Sequence, residues 1–281
     1  MRLIFGGVRG TAAAPHAGFL EYGGETTAAL VEGDNGERIL IDAGTGVRAL
    51  GGRIERENGH PHVLLLLTHY HLDHVIGLQS LGLLYRKGAT VTVGAQARGG
   101  RVAADSVRTL MSEPFWPVQL EELRATIRFL DWTTPESAVA HREQGLEIRW
   151  CPVHHPGGCT AYRIDERGTG RSLVFATDVE WPLATQPEQR AFMRLCSVPS
   201  RPDVLVFDGQ FGRNDYAPFR GWGHSTWEDA ADVARETGAR RLLVTHHAPQ
   251  NDDRILARVD YEVGIALPGG RLAREAMEVA I

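Results

Sequence analysis

Short apolar runs bounded by turn-forming or charged residues recur along this chain, and they alternate with longer segments of helical period. The runs predict strands at 2–6, 27–32, 38–42, 62–67, 90–93, 146–150, 160–164, 172–176, 203–207 and 241–245. Their leucine and β-branched content, with turn residues on both sides, carries that reading. Helices are predicted at 74–85, 97–111, 184–196 and 226–237. Ser225 or Thr226 can cap the last of them, and Glu228 and Asp229 place negative charge near its positive end. Between two of the strands, Asn35-Gly36 signals a type I′ hairpin. Strands cluster first, helices then intervene, and the pattern repeats in the second half. A layered α/β protein with mixed sheets follows, built as one domain over residues 1–281.

Composition narrows the function classes. Hydrophobic residues make up 43% of 281, enough for a sizeable core. The net charge of -5 argues against gripping nucleic acid through bulk positive charge. Cys151, Cys159 and Cys196 have no CxxC spacing, so neither a disulfide framework nor a thiolate zinc site is indicated, and they read as core residues. No apolar stretch is long enough for a signal-peptide core or a membrane span, so a cytoplasmic setting without membrane contact is expected. The opening FGGVRG lacks the helix and the later acidic partner of a dinucleotide-binding loop.

The chemistry begins at LLLLTHYHLDHVIG, residues 64–77, where an apolar strand runs into His69, His71, Asp73 and His74. In an extended segment His69 and His71 point to the same side. A turn into a helix near Leu72 then presents Asp73 and His74 from another direction, so the spacing suits two metal ions. Three further strand ends stop on ligand-type residues: His154 and His155 in IRWCPVHHPGG, Asp178 in SLVFATDVE, and His246 and His247 in RLLVTHHAP. Loops at strand ends are where functional residues of layered folds gather. Asp178, with two oxygens, can bridge two cations.

THYHLDH, HHPGG, ATD and THH in this order resemble the metallo-β-lactamase superfamily, over essentially the whole chain. GVRG, LIDAGTGVRALG, HPGGCTAYRI and DGQFGRNDYAPFRGWGHSTWEDA look like its phosphodiesterase branch, which includes tRNA 3′-processing nucleases and bacterial cyclic-nucleotide phosphodiesterases. The resemblance implies a four-layer αββα sandwich with two divalent ions at one edge, Zn²⁺ first, with Mn²⁺ or iron as alternatives. It implies that His69, His71 and His155 hold the first ion, that Asp73, His74 and His246 hold the second, and that Asp178 bridges. His155 is preferred to His154 because the family's ligand directly precedes the proline, and His246 to His247 because the ligand follows the strand-ending threonine.

GWGHST separates the possible chemistries. His224 resembles the branch's proton donor to a leaving alkoxide, and Asp208 its orienting acid; with Asp73 they form the implied catalytic set. Lactamase and glyoxalase readings have no need of this histidine. In the tRNA nucleases a long tRNA-gripping arm lies between the third histidine ligand and the bridging aspartate. Here residues 156–177, 22 in all, leave no room for one. A small phosphodiester such as a cyclic nucleotide is therefore the expected substrate, with no large nucleic-acid surface; the alternatives are a tRNase Z-like ribonuclease and a metal-binding redox or sensor domain. Two departures from the branch are Glu25, where asparagine is expected, and Ala248, where aspartate is common. Phe115 and Trp116 could stack a base, form a homodimer seam or belong to the core.

Overall fold

The computed structural model describes every residue except 57, 58, 60, 101 and 133–135, with backbone alone for 136–139. Two seven-stranded mixed sheets face each other. The first contains β1 (Arg2–Gly7), β2 (Ala28–Glu32), β3 (Arg38–Ile41), β4 (His62–Leu67), β5 (Thr90–Gln96) and β6 (Thr126–Trp132), with β14 (Glu278–Ala280) beside β1. The second runs from β7 (Glu136–Glu143) through β8 (Leu146–Val153), β9 (Cys159–Glu166), β10 (Ser172–Ala176), β11 (Val204–Asp208) and β12 (Arg241–Thr245) to β13 (Arg271–Leu272). In each sheet one half is antiparallel and the other parallel: β3 to β6 in the first and β10 to β13 in the second.

The near-continuous apolar strands are explained by burial on both faces. Leu64 and Leu66 of β4 point into the interface between the sheets, against a layer that includes Trp150, Tyr162 and Phe175. Val63, Leu65 and Leu67 point the other way and pack under α1 (Val47–Glu55) and α3 (Ala103–Leu110). On the far side, Val174, Phe207 and Val244 are covered by α4 (Gln186–Ser197), α5 (Trp227–Thr237) and α6 (Asp253–Ala266). Three apolar layers thus separate four structural ones, the αββα arrangement. Each fully buried leucine contributes about 1.5–3 kcal/mol.

All ten strands read from the sequence are present. The helix expected over 74–85 is instead α2 (Leu72–Val75) followed by two 3-10 turns. Gly77 ends it: a Cβ there would lie 2.0 Å from the Gly44 carbonyl oxygen, and its N–H donates to the Ala43 carbonyl. The predicted helix over 97–111 starts at Ala103, and Arg101 lies outside the described residues. The Asn35-Gly36 hairpin is not type I′. Gly36 N–H closes a turn on the Gly33 carbonyl, and Gly36 alone of the pair takes positive φ, +88°. That is a three-residue hairpin with glycine in the left-handed position. Thr226, not Ser225, caps α5, in a reciprocal capping box with Asp229. The three cysteines are free and buried. Among the described residues, no helix is long and apolar enough to cross a membrane.

Candidate metal centre

The C-terminal ends of β4, β10, β11 and β12 and the β8–β9 hairpin meet at one edge of the sandwich. The two sheets are stitched together there. Tyr162 on β9 donates its hydroxyl to the Leu67 carbonyl at 2.7 Å, and Thr160 N–H reaches the Thr68 carbonyl. On the other flank, Gly10 N–H donates to the His247 carbonyl and His247 N–H to that of Val8.

All seven ligand-type residues expected from the sequence converge at this edge, in two groups that share Asp178. His69, His71, His155 and Asp178 form one; Asp73, His74, His246 and Asp178 form the other. Asp178 faces both ways. Its Oδ1 lies 3.7 Å from His69 Nε2 and 3.8 Å from His155 Nε2, while its Oδ2 lies 3.2 Å from His74 Nε2 and 3.3 Å from His246 Nε2. Asp73 Oδ2 completes the second group, 3.3 Å from both His74 Nε2 and His246 Nε2. The neighbouring histidines turn elsewhere: His154 reaches Glu188, and His247 lies against the Ala273 carbonyl.

Backbone conformation serves this convergence. Thr11, Asp42, Asp178 and His246 all take positive φ, between +56° and +65°. Non-glycine residues held there carry strain of order 1–3 kcal/mol each, which the surroundings must offset, and such residues cluster at functional sites. Thr11 N–H donates to Asp73 Oδ2 at 2.7 Å.

The ring orientations fit a cation. His155 Nδ1–H donates to the Gly223 carbonyl at 2.9 Å, and His74 Nδ1–H to Asp42 Oδ2 at 2.8 Å. The Thr68 hydroxyl donates to Asp42 and receives from His69 Nδ1. Each of the three imidazoles therefore turns its Nε2 inward. His69 Nε2 is buried and has no hydrogen-bond partner, a lone pair aimed into the site. Burial pushes the His155 imidazole down to about 4 and that of His69 well below its ordinary range, which keeps both neutral, as a ligand must be. Burial opposes charge on His74, but Asp178, Asp42 and Asp73 outweigh it and hold its pKa well above the ordinary range. Burial also works against ionised Asp73 and Asp178, yet the surrounding histidines hold both carboxyls well below the usual carboxylate range. The site thus favours positive charge at its centre, and the donor set, imidazole and carboxylate, suits a divalent ion.

Beside it stands a second arrangement, Asp208, His224 and His246. Asp208 Oδ2 accepts His224 Nδ1–H at 2.8 Å and Asp178 N–H at 2.9 Å, while Oδ1 accepts the N–H groups of Gln210 and Ser225. The His224 ring stacks on that of His246 at 4.7 Å and stands 5.4 Å from that of His155. Burial alone would push its pKa down; Asp208, reinforced by Asp178 and Asp73, carries it up to about 9.

Asp42 is not among the residues expected from the sequence, although it ends a strand as the other site residues do, in ILIDAGTG. It fixes His74 directly and His69 through Thr68. Asp42→Asn keeps the shape but lets an amide N–H face His74 Nδ1. Such a substitution is expected to weaken metal binding by about 10- to 100-fold, measured by competition with a chromophoric chelator. Unchanged affinity would show that the Asp42 contact to His74 does not matter for metal binding. The two departures stand outside both groups: the Ala248 carbonyl accepts from Arg9, and the Glu25 carbonyl accepts the N–H groups of Val8 and Arg9. Trp116 packs on the core and donates its indole N–H to Tyr85, whereas Phe115 is 67% exposed.

Fold and site together define a class: an αββα hydrolase whose His/Asp clusters are built for divalent metal. The profile of the Beta-lactamase superfamily domain matches residues 37–247, and the chain belongs to that superfamily. It is similar to a protein named Ribonuclease Z from Lachnoclostridium phytofermentans, 24% identical over 276 residues that span 83% of this chain and 85% of that one. Among solved structures it resembles the short form of human tRNase Z, with TM-score 0.70 and 18% identity over 100% of this chain and 99% of that one. It also resembles the metallo-β-lactamase-fold protein YhfI from Bacillus subtilis, with TM-score 0.69 and 17% identity over 99% of both chains.

Proposed function

We propose that this protein is a dinuclear metal-dependent phosphodiesterase acting on small diesters, cyclic nucleotides among them. His69, His71 and His155 would hold one ion, Asp73, His74 and His246 the other, and Asp178 would span both. Zn²⁺ suits this donor set, with Mn²⁺ or iron as alternatives. Bound divalent ions supply activation of water and neutralisation of charge on phosphoryl oxygens.

The observation that carries the phosphodiester reading is the His224–Asp208 pair set against the metal ligands. An alkoxide is a poor leaving group and needs a proton as it departs. Asp208 holds the Nδ1–H of His224, which leaves Nε2 as the nitrogen that gives its proton to the departing oxygen. A pKa raised to about 9 keeps that proton in place at neutral pH.

Support for a small substrate comes from the stretch between His155 and Asp178. It is filled by β9 and β10, antiparallel partners from Ser172↔Asp165 to Phe175↔Tyr162, joined by a short turn. A second reading, an RNA diester as substrate, is favoured by the relatives named Ribonuclease Z, which align along most of the chain. Metal-loaded protein assayed on bis(p-nitrophenyl) phosphate, on cyclic nucleotides and on a precursor tRNA separates the two. Turnover of the small diesters with no removal of the 3′ trailer is expected. Efficient trailer removal at physiological salt would transfer the assignment to the RNA.

A further inference from the structure

Glu180 is a buried carboxylate that neither the metal ligands nor the acid pair uses. Among the described residues, every hydrogen-bond partner of its side chain lies on the segment leading to His224. Oε1 accepts the Tyr216 hydroxyl at 2.5 Å and Gly221 N–H at 2.6 Å, and Oε2 accepts Gly223 N–H at 2.8 Å. The segment is held from the neighbouring residues as well: Trp181 N–H donates to the Ser225 hydroxyl, which donates to the Val179 carbonyl.

What the segment does once anchored is visible at Gly223. Its carbonyl fixes the tautomer of His155, and the following residue is His224. Its backbone, at φ +95°, lies so close to the His155 ring that a Cβ would stand 2.2 Å from Nδ1. A carboxylate side chain that accepts from two backbone N–H groups and a phenol makes a directional anchor.

We propose that Glu180 is a positioning residue for both halves of the site: through Gly223 it aims His155 at its metal, and through the same residue it sets His224 at the leaving group. This rests on the phosphodiesterase reading for the His224 half and only on metal binding for the His155 half. Geometry of this kind is consequential, since a misplacement of about 1 Å can cost on the order of 10²-fold in rate.

The test uses the full chain carrying Glu180→Gln, which keeps the shape but turns an N–H₂ group toward a donor. Tyr216→Phe serves as the milder variant should the first fail to fold. Expected for Glu180→Gln is metal affinity weakened by about tenfold or more, read by chelator competition, as for lost orientation of a metal ligand. Turnover should fall by about 10- to 100-fold on a diester with an alkyl or ribose leaving group, and far less on a p-nitrophenyl diester. Tyr216→Phe should show a smaller version of both effects. Wild-type metal affinity together with equal losses on the two substrates, whatever the change in melting temperature, would overturn the proposal and leave Glu180 a structural anchor. If His224→Ala itself shows no leaving-group dependence, the acid reading fails by its own measurement, and chelator competition still decides the His155 half.

Discussion

Asp178→Ala is expected to strip the protein of metal and activity together. Asp178 is the only residue common to both ligand groups, with one oxygen turned to His69 and His155 and the other to His74 and His246. Without it each group loses a carboxylate, and Asp73 is the one carboxylate left in the two groups. Its partners would feel the loss too, since Asp178 heads the groups that favour a positive charge at His74. The loss of turnover should therefore exceed the ~10²–10⁴-fold typical of a missing acid group. Asp178→Asn is the informative companion. Asparagine tolerates the left-handed backbone that Asp178 adopts at φ +56° and keeps the side chain's shape, while it removes the charge and turns one of the two oxygens into an N–H₂ donor. Elemental analysis after desalting decides the matter. Two metals per chain retained in the alanine variant would mean that the bridge lies elsewhere.

His224→Ala should behave in the opposite way, keeping metal and fold while losing turnover. The His224 ring touches those of His246 and His155, and its Nδ1 is anchored on Asp208. The expected loss is ~10²–10⁴-fold for a ribose alkoxide leaving group. It should shrink for p-nitrophenolate, which departs with little need of a proton. Asp208→Asn should show a weaker version of the same dependence, because it orients the imidazole without donating to substrate. Equal losses on both substrates at full metal content would make His224 a binding or structural residue and remove the main support for phosphodiester chemistry.

Much of this protein was written locally. The strands are legible because burial on both faces leaves long apolar runs such as 62–67, a signal that survives without knowledge of the neighbours. The H-x-H-x-D-H spacing is likewise local: a strand's period and a helical turn place those four residues within a few ångströms of one another whatever surrounds them. Elements outside the predicted set are α1, whose helical pattern Gly51 and Gly52 mask, β13 and β14, whose two or three residues carry no period, and also α6, β6 and β7. The two-residue β13 and the break at Gly77 exist only through their contacts with distant segments.

The roles of Asp42 and Glu180 belong to the tertiary structure, whereas the choice within each histidine pair comes from the family resemblance and agrees with the residues that converge. Asp42 reads as one more strand-ending carboxylate until the fold sets it against Thr68 and His74, and Glu180 as a turn residue until Gly221 and Gly223 close on it. Sequence period determines which face a side chain takes. It carries no information about which distant backbone N–H or imidazole will stand opposite, because that is set by how two sheets with opposed apolar faces stack and by where their strands end.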